Sequence, residues 1–477
     1  MQSRRNFIKT SSLAFAGLSL SNLSFTKSFA PNLFESKRPP IAERKFISEA
    51  IEAKIIEMKK TIRDEELGWL FENCFPNTLD TTVTHKTINE KPDTFIITGD
   101  INAMWLRDSS AQVWPYLQFV NEDKKLKDLI AGVINRQTKC ILIDPYANAF
   151  NDGPTGSYWE KDVTDMKPEL HERKWEIDSL CYPIRLAYGY YKTTNDVSVF
   201  DDDWKLAMKL VLKTFKEQQR KDGKGSYRFL RETTTPLDTL PLDGYGNPVN
   251  PVGLIVSSFR PSDDATIFPF LVPSNHFAVV SLKQLSRIFL DELKEKSLGM
   301  QCIILANEIE EALNEFAMID HLDYGKIFPY EVDGFGNKLF MDDANVPSLL
   351  SLPYLDAVPV EDKIYQNTRR FLLSKNNPFY FVGYDGNGIG GPHAGLGKIW
   401  HLSIIMRGLT SQYEDEIIEC IKLLKSSHAN TGFMHESFDK DDATKFTRSW
   451  FAWANTLFGE FILKVHKEHP HLLQKQF

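Results

Sequence analysis

Ile47, Ile51, Ile55, Met58 and Ile62 recur at steps of four, four, three and four. That spacing puts all five on one face of a helix and leaves the opposite face to Glu and Lys. The same pattern returns near the other end with Ile417, Ile421 and Leu424, behind Glu414, Asp415 and Glu416 in what would be an acidic first turn. Similar stripes run through 204–217, 276–290 and 299–317. Strand signals are few, and Phe95-Ile-Ile-Thr98 is the best of them. A hairpin of two ordinary helices with its loops takes roughly 60–75 residues, so the chain has room for about six. Periodicity alone establishes a mostly helical chain. The loops between the stripes are long and rich in Gly, Asp, Asn and Pro, and such loops are where a site is built on a helical scaffold.

The 477 residues are 42% hydrophobic and 25% charged, with no Ser/Gly/Pro-rich linker to divide them, which points to one large domain. A net charge of -8 gives no electrostatic reason to expect nucleic acid or an anionic membrane as a partner. No obligate protein partner is indicated either. The 9 Trp, 16 Tyr and 33 Phe offer flat apolar faces of the kind that stack on sugars, although most aromatics fill cores. Cys74, Cys140, Cys181, Cys302 and Cys420 are odd in number and widely spaced. They read as buried free thiols, neither a disulfide framework nor a metal site.

Ser3-Arg-Arg-Asn-Phe-Ile-Lys9 is similar to a twin-arginine export signal. A modest apolar stretch follows from Leu13 to Leu23, too short and polar to span a membrane, and Ser28-Phe-Ala30 supplies the small residues of a cleavage site. Residues 1–30 are therefore expected to be a signal peptide, and 31–477 a single exported, periplasmic catalytic domain. No cysteine follows closely enough for a lipid anchor.

Four segments concentrate polar, charged and aromatic residues. In Thr98–Gln112, Asp100, Arg107 and Asp108 flank Trp105. An arginine beside a carboxylate can grip adjacent sugar hydroxyls, one group donating and the other accepting. A structural Arg–Asp pair capping a helix that starts near Ser109 is the alternative, and spacing leaves both open. In Ser257–Ala265, Asp263 and Asp264 follow a proline, and two adjacent acids exceed what one helix cap needs. Apolar shielding by Phe259 and Phe268 would raise one of them into the range of a general acid. Asp342, Asp343 and Asn345 have the oxygens a hard cation likes but not the spacing of a calcium loop. Lastly, His393 and Trp400 lie in one piece, and His435 and Glu436 in a second, where a carboxylate can orient a water as general base. No HExxH, GxSxG, P-loop or GxGxxG is present, which removes the common metalloprotease, serine hydrolase and nucleotide readings. Separated carboxyls, aromatic platforms and no cofactor motif suit glycosidic cleavage. There one acid protonates the departing oxygen and the other activates water or attacks the sugar.

At these residues the chain resembles glycoside hydrolase family 125, the bacterial exo-α-1,6-mannosidases. The matching stretches are GDINAMWLRDSSAQVWPYL (99–117), WEIDSLCYPIRLAY (175–188), FRPSDDA (259–265), MDDANVPSLLSLPYL (341–355), GPHAGLGKIWHLSIIMRGLTS (391–411) and GFMHESF (432–438). The resemblance implies an all-α (α/α)6 barrel with long active-site loops, and an inverting reaction that needs no metal or other cofactor. The implied substrate is an oligosaccharide ending in non-reducing α-1,6-linked mannose. By motif, Asp263 would be the acid, with Asp264 as the alternative, and Glu436 the base. Arg107 and Asp108 would hold the terminal mannose, and Asp100, Trp105, His276, Asn345, His393 and Trp400 would line the pocket. The HAGLGKIW loop departs from an expected Thr-Pro-type continuation after His393. Two rivals stand beside this reading. Another (α/α)6 exo-glycosidase, glucoamylase-like, would share two acids but lack the combined WLRDS and MDDANVPS motifs. A non-catalytic glycan-binding protein would not require separated acids.

Overall fold

The front stripe folds as the helix Glu49–Thr61, with Ile51, Ile55 and Met58 buried. Ser48 caps it by accepting the Ile51 N–H, so Ile47 falls one residue outside and stays exposed. Ile62 ends the stripe at the C-cap and is buried. This computed structural model describes residues 34–477, of which Ser36–Phe477 form one compact unit. The expected signal peptide at 1–30 lies outside the described residues.

The other stripes are helices as well: Asp202–Gln218, Val272–Arg287 with a π turn Ile288–Glu292 behind it, Lys296–Phe316, and Glu414–Ser427 with its acidic first turn. Among the described residues there are fourteen α-helices. Leu106–Val113 packs against Ile177–Thr194 on one side and Ala452–Glu468 on the other. Ile177–Thr194 continues to Val272–Arg287, and Ala452–Glu468 to His401–Leu409. Lys124–Ile143, Lys296–Phe316 and Glu414–Ser427 pack outside these. The approach is close at Gly408, where an added Cβ would meet the Phe461 ring at 2.5 Å. Residues 341–355 hold no helix, and they connect the Ile177 and Ala452 helices. Tyr182 donates to the Val346 carbonyl at 3.0 Å, Arg185 to that of Tyr354 at 3.2 Å, and Tyr354 Oη to Glu460 at 2.9 Å.

An all-α expectation needs one amendment. Fifteen short strands form antiparallel sheets of two or three strands among the described residues. Phe95 does lie in a strand, Lys91–Ile96, paired with Val83–Ile88. Most of the others are two or three residues long, too short to show a period of two. Several run directly into a helix: Met104–Trp105 into Leu106–Val113, Phe270–Leu271 into Val272–Arg287, and Lys398–Trp400 into His401–Leu409. Such junctions fix where each helix begins, and that positions the site. All five cysteines are free and buried. No helix among the described residues is long and apolar enough to cross a membrane.

Candidate active site

Trp105, Glu176, Trp400 and Phe451 are the N-cap residues of four packed helices. Each has an extended backbone, and none caps its helix with its side chain. Trp105, Arg107, Asp108, Trp400, Phe451 and Trp453 all line one cavity. The helix ends carry partial positive charge toward it. Gly99 lets the entering chain lie on the Trp450 backbone. Its φ is +129°, and a Cβ there would sit 2.3 Å from the Trp450 carbonyl oxygen.

Asp263 enters from a tight turn. Its N–H donates to the Arg260 carbonyl at 2.9 Å, and the Arg260 N–H donates to that of Asp264 at 2.7 Å. Asp263 takes a left-handed φ of 68°, a conformation aspartate tolerates better than most residues. This turn aims the two neighbours apart. Asp263 lines the cavity, while Asp264 stands behind it, 3.2 Å from His393 Nδ1. No helix begins until Val272, so neither aspartate is a helix N-cap. Asn148 Nδ2 donates to Asp263 Oδ1 at 3.2 Å, Arg107 Nη2 lies 3.7 Å from the same oxygen, and Lys174 Nζ donates to the Asp263 carbonyl at 2.9 Å. Burial pushes the Asp263 carboxyl up, but the charges of Arg107 and Lys174 help to outweigh it and hold the group below its ordinary value.

Arg107 is 3% exposed and sits among carboxyls. Its Nη1 meets Glu176 at 2.7 Å and Asp178 at 3.0 Å, and its Nε meets Asp108 at 3.5 Å. The helix starts at Leu106 rather than near Ser109, so Arg107 and Asp108 occupy its first turn. Burial raises Asp108 to about 6.

Across the cavity, Glu436 precedes the strand Ser437–Asp439, which pairs with both Lys398–Trp400 and Asp442–Thr447. Trp400 and Thr447 both face Ser437 in that register, so the sheet brings aromatic wall and carboxylate together. Thr447 Oγ1 donates to Glu436 Oε2 at 2.9 Å, and Arg448 Nη1 lies 3.6 Å from Oε1. Arg448 is held in turn by Asp100, its Nε donating to Oδ1 at 2.8 Å.

Of the expected site residues, Trp105, Arg107, Asp108, Asp263, Asn345, His393, Trp400 and Glu436 line the cavity. Three do not. Asp100 and Asp264 each stand one side chain behind, on Arg448 and His393. His276 is away from the cavity. It projects from the Val272 helix onto the Phe328 ring at 5.1 Å, and burial lowers it to about 4. No residue of that helix lines the cavity. Asp342 and Asp343 are occupied by protein donors. Asp342 accepts the N–H groups of Leu349 and Leu350 at 2.8 and 3.0 Å, and Asp343 accepts the Ser262 hydroxyl at 2.7 Å. Burial raises Asp342 to about 8. Among the described residues no group of three or more His, Cys, Asp or Glu is arranged to hold a metal ion. Sequence reasoning missed Glu176, Asp178, Lys174, Arg448 and Trp453. The last two lie in Thr447-Arg-Ser-Trp-Phe-Ala-Trp453, whose arginine among aromatics is the signal that could have marked them.

Residues 64–463 match the family described as metal-independent alpha-mannosidase, GH125. The chain belongs to glycoside hydrolase family 125. It is an α-mannosidase of the metal-independent kind. A Streptococcus pneumoniae member of the family superposes with a TM-score of 0.86 at 39% identity, covering 89% of this chain and all of that one. That enzyme was captured in a non-productive complex with α-1,6-mannobiose. The meiotically up-regulated gene 157 protein of Schizosaccharomyces pombe is 41% identical over 458 residues, 92% of this chain and 90% of its own. A bacterial glucoamylase complexed with acarbose shares the fold at 11% identity, with a TM-score of 0.55 over 88% of this chain and 58% of its own.

Proposed function

We propose that this GH125 protein removes α-1,6-linked mannose from non-reducing ends, one residue at a time, with inversion of the anomeric centre. The observation that carries the reading is the pair of carboxyls, Asp263 and Glu436, lining one small cavity from separately braced elements. Asp263 gives its proton to the glycosidic oxygen as the bond to C1 breaks. Glu436 takes a proton from a water that attacks C1 from the opposite face, and β-mannose and a new hydroxyl end result. Trp105, Trp400 and Trp453 supply apolar walls for the sugar ring. The indole N–H groups of Trp105 and Trp400 are buried without a protein acceptor, which suits them to sugar hydroxyls. Asp108 serves as the acceptor beside them. The mannobiose complex of the streptococcal relative supports the linkage.

The test is hydrolysis of α-1,6-, α-1,3- and α-1,2-mannobiose, followed by proton NMR. The α-1,6 isomer should be cleaved fastest and β-mannose should appear first. α-Mannose first would end the inverting reading, and preference for another linkage would end the assigned specificity. Glu436→Gln should lower turnover by about 10²–10⁴-fold with substrate binding kept. Asp263→Asn should be impaired on mannobiose and much less so on a substrate with a good leaving group.

The packed helices suit six hairpins closing as an (α/α)6 barrel, a reading supported by the row of helix contacts and by the glucoamylase likeness. The Arg4-Arg5 segment supports export of a single catalytic domain, 31–477, by the twin-arginine route. Arg4→Lys with Arg5→Lys should hold the precursor in the cytoplasm, and periplasmic accumulation of that variant would overturn the assignment.

A further inference from the structure

Arg220 stands two positions beyond the helix Asp202–Gln218 and is 7% exposed. Its φ is 56°, in the left-handed region where a helix end usually carries glycine. The chain thus keeps a long cationic side chain at a backbone position that disfavours one. Arginines this deeply buried are normally paired with carboxylates. Among the described residues Arg220 forms no ion pair. Its Nη2 donates to the Tyr245 carbonyl at 2.9 Å, and its Nε is buried with no acceptor. Burial holds the guanidinium below its ordinary value, and the groups that act against burial are two tyrosines, Tyr146 and Tyr227.

Arg220 also lines a surface pocket, together with Lys224, Tyr245, Asn247, Pro248 and Pro251. No Asp or Glu is among the described residues that line it. The two cations border the same residue, since Arg220 holds the Tyr245 carbonyl and Lys224 Nζ lies 4.8 Å over the centre of the Tyr245 ring. Asp222 and Asp243 are close in sequence, but both are exposed and neither lines the pocket. Lys221 is turned to Glu308. In a chain of net charge -8, a pocket with two cations and no carboxylate is a local reversal of sign.

We propose that Arg220 and Lys224 form a binding site for a phosphate group, free or esterified to a sugar. A phosphate carries about -1.5 to -2 charge at neutral pH and three acceptor oxygens. That charge balances two cations, where a carboxylate balances one. The unpaired Nε–H and the Lys224 ammonium donate to separate oxygens, and such charge-assisted bonds are the strong ones. Tyr245, Pro248 and Pro251 supply apolar surface for a sugar that bears the phosphate. The site is independent of the catalytic reading, because neither Asp263 nor Glu436 lines this pocket.

The test is calorimetric titration of the full chain at neutral pH and low salt with inorganic phosphate and with mannose 6-phosphate. Acetate serves as the carboxylate control, and mannose as the control for the catalytic cavity. Wild type should bind phosphate at one site. Arg220→Met should weaken that binding about 10-fold or more, and Lys224→Met should weaken it by less. Lys224 is exposed, so its variant keeps the test where Arg220→Met does not fold. Tighter binding of the ester than of both inorganic phosphate and mannose, lost in the same variants, marks a sugar-borne phosphate. Equal or weaker binding of the ester marks the free ion. No saturable binding of either phosphate probe, acetate bound as tightly as phosphate, or phosphate affinity unchanged in the folded variants would overturn the proposal.

Discussion

Thr447 Oγ1 donates to Glu436 Oε2 at 2.9 Å from the neighbouring strand of the same hairpin. A base that must point one oxygen at a water needs its other oxygen fixed, and this hydroxyl fixes it. Thr447→Val keeps the shape and removes the donor. A hydrogen bond to a charged group contributes about 1.5–3 kcal/mol, so kcat should fall roughly 10–100-fold while KM changes little. Steady-state kinetics on α-1,6-mannobiose check this, and an unchanged kcat would show that the strand alone orients Glu436.

Asp100 acts at one remove. It holds Arg448, which faces Glu436 at 3.6 Å, and it does not reach the cavity. Arg448→Met should therefore lower kcat/KM by about 10²-fold, and Asp100→Asn by less, on the order of 10-fold. The double variant should resemble Arg448→Met, because the two residues act as one unit. Additive losses in that cycle would give Asp100 a role of its own.

His393 ties stability to pH. Burial works against its charge, but the hydrogen bond to Asp264 and the nearby Asp263 and Glu436 raise it to about 9. An unfolded histidine titrates at about 6.5. The folded group therefore keeps its proton where the unfolded one loses it. The stability it confers is complete below about 6.5 and fades as pH rises through about 9. Tm measured across that interval should decline more steeply for wild type than for His393→Gln. Asp264→Asn should flatten the same decline and leave Asp263 in place as acid. Parallel curves for all three proteins would contradict the assignment.

His276 should be silent in catalysis. It packs on Phe328 away from the cavity, and burial holds it neutral, at about 4. His276→Phe should leave kcat/KM for mannobiose within about two-fold of wild type, since nothing that touches substrate changes. The same variant should withstand mild acid better, because a buried neutral histidine loses stability for the fold as pH drops below about 6.5. A large kinetic loss would return His276 to the site.

Part of this architecture was legible in the residues alone. Helices with one apolar face announce themselves through spacing, and Asp263, Glu436, Trp105 and Trp400 stood out because they crowd polar and aromatic groups into loops. Ile47 belonged to the stripe by spacing and still fell outside the helix, because the Ser48 cap decides where the helix begins. Glu176 carries no local signal. Its place at the site comes from its contact with Arg107, 69 residues earlier in the chain. His276 failed in the opposite direction, since a histidine with helical spacing looks the same whether it faces a cavity or a neighbouring phenyl ring. Ion-pair clusters assembled from distant segments have no period and no fixed gap, so only the folded chain exposes them.

The two sides of this site differ in how their parts are encoded. Glu436, Thr447 and Arg448 come from one short hairpin, whereas the acid side draws Arg107, Glu176, Asp178 and Asp263 from three separate stretches. A single local replacement can rewrite the base side, and no single replacement can rewrite the other. Random diversification confined to 436–448 should therefore yield folded proteins with altered rate or acceptor choice far more often than the same mutational load spread over the acid side. In an evolving lineage the hairpin is the part free to explore new chemistry, and the arginine-centred cluster is the frame that stays behind.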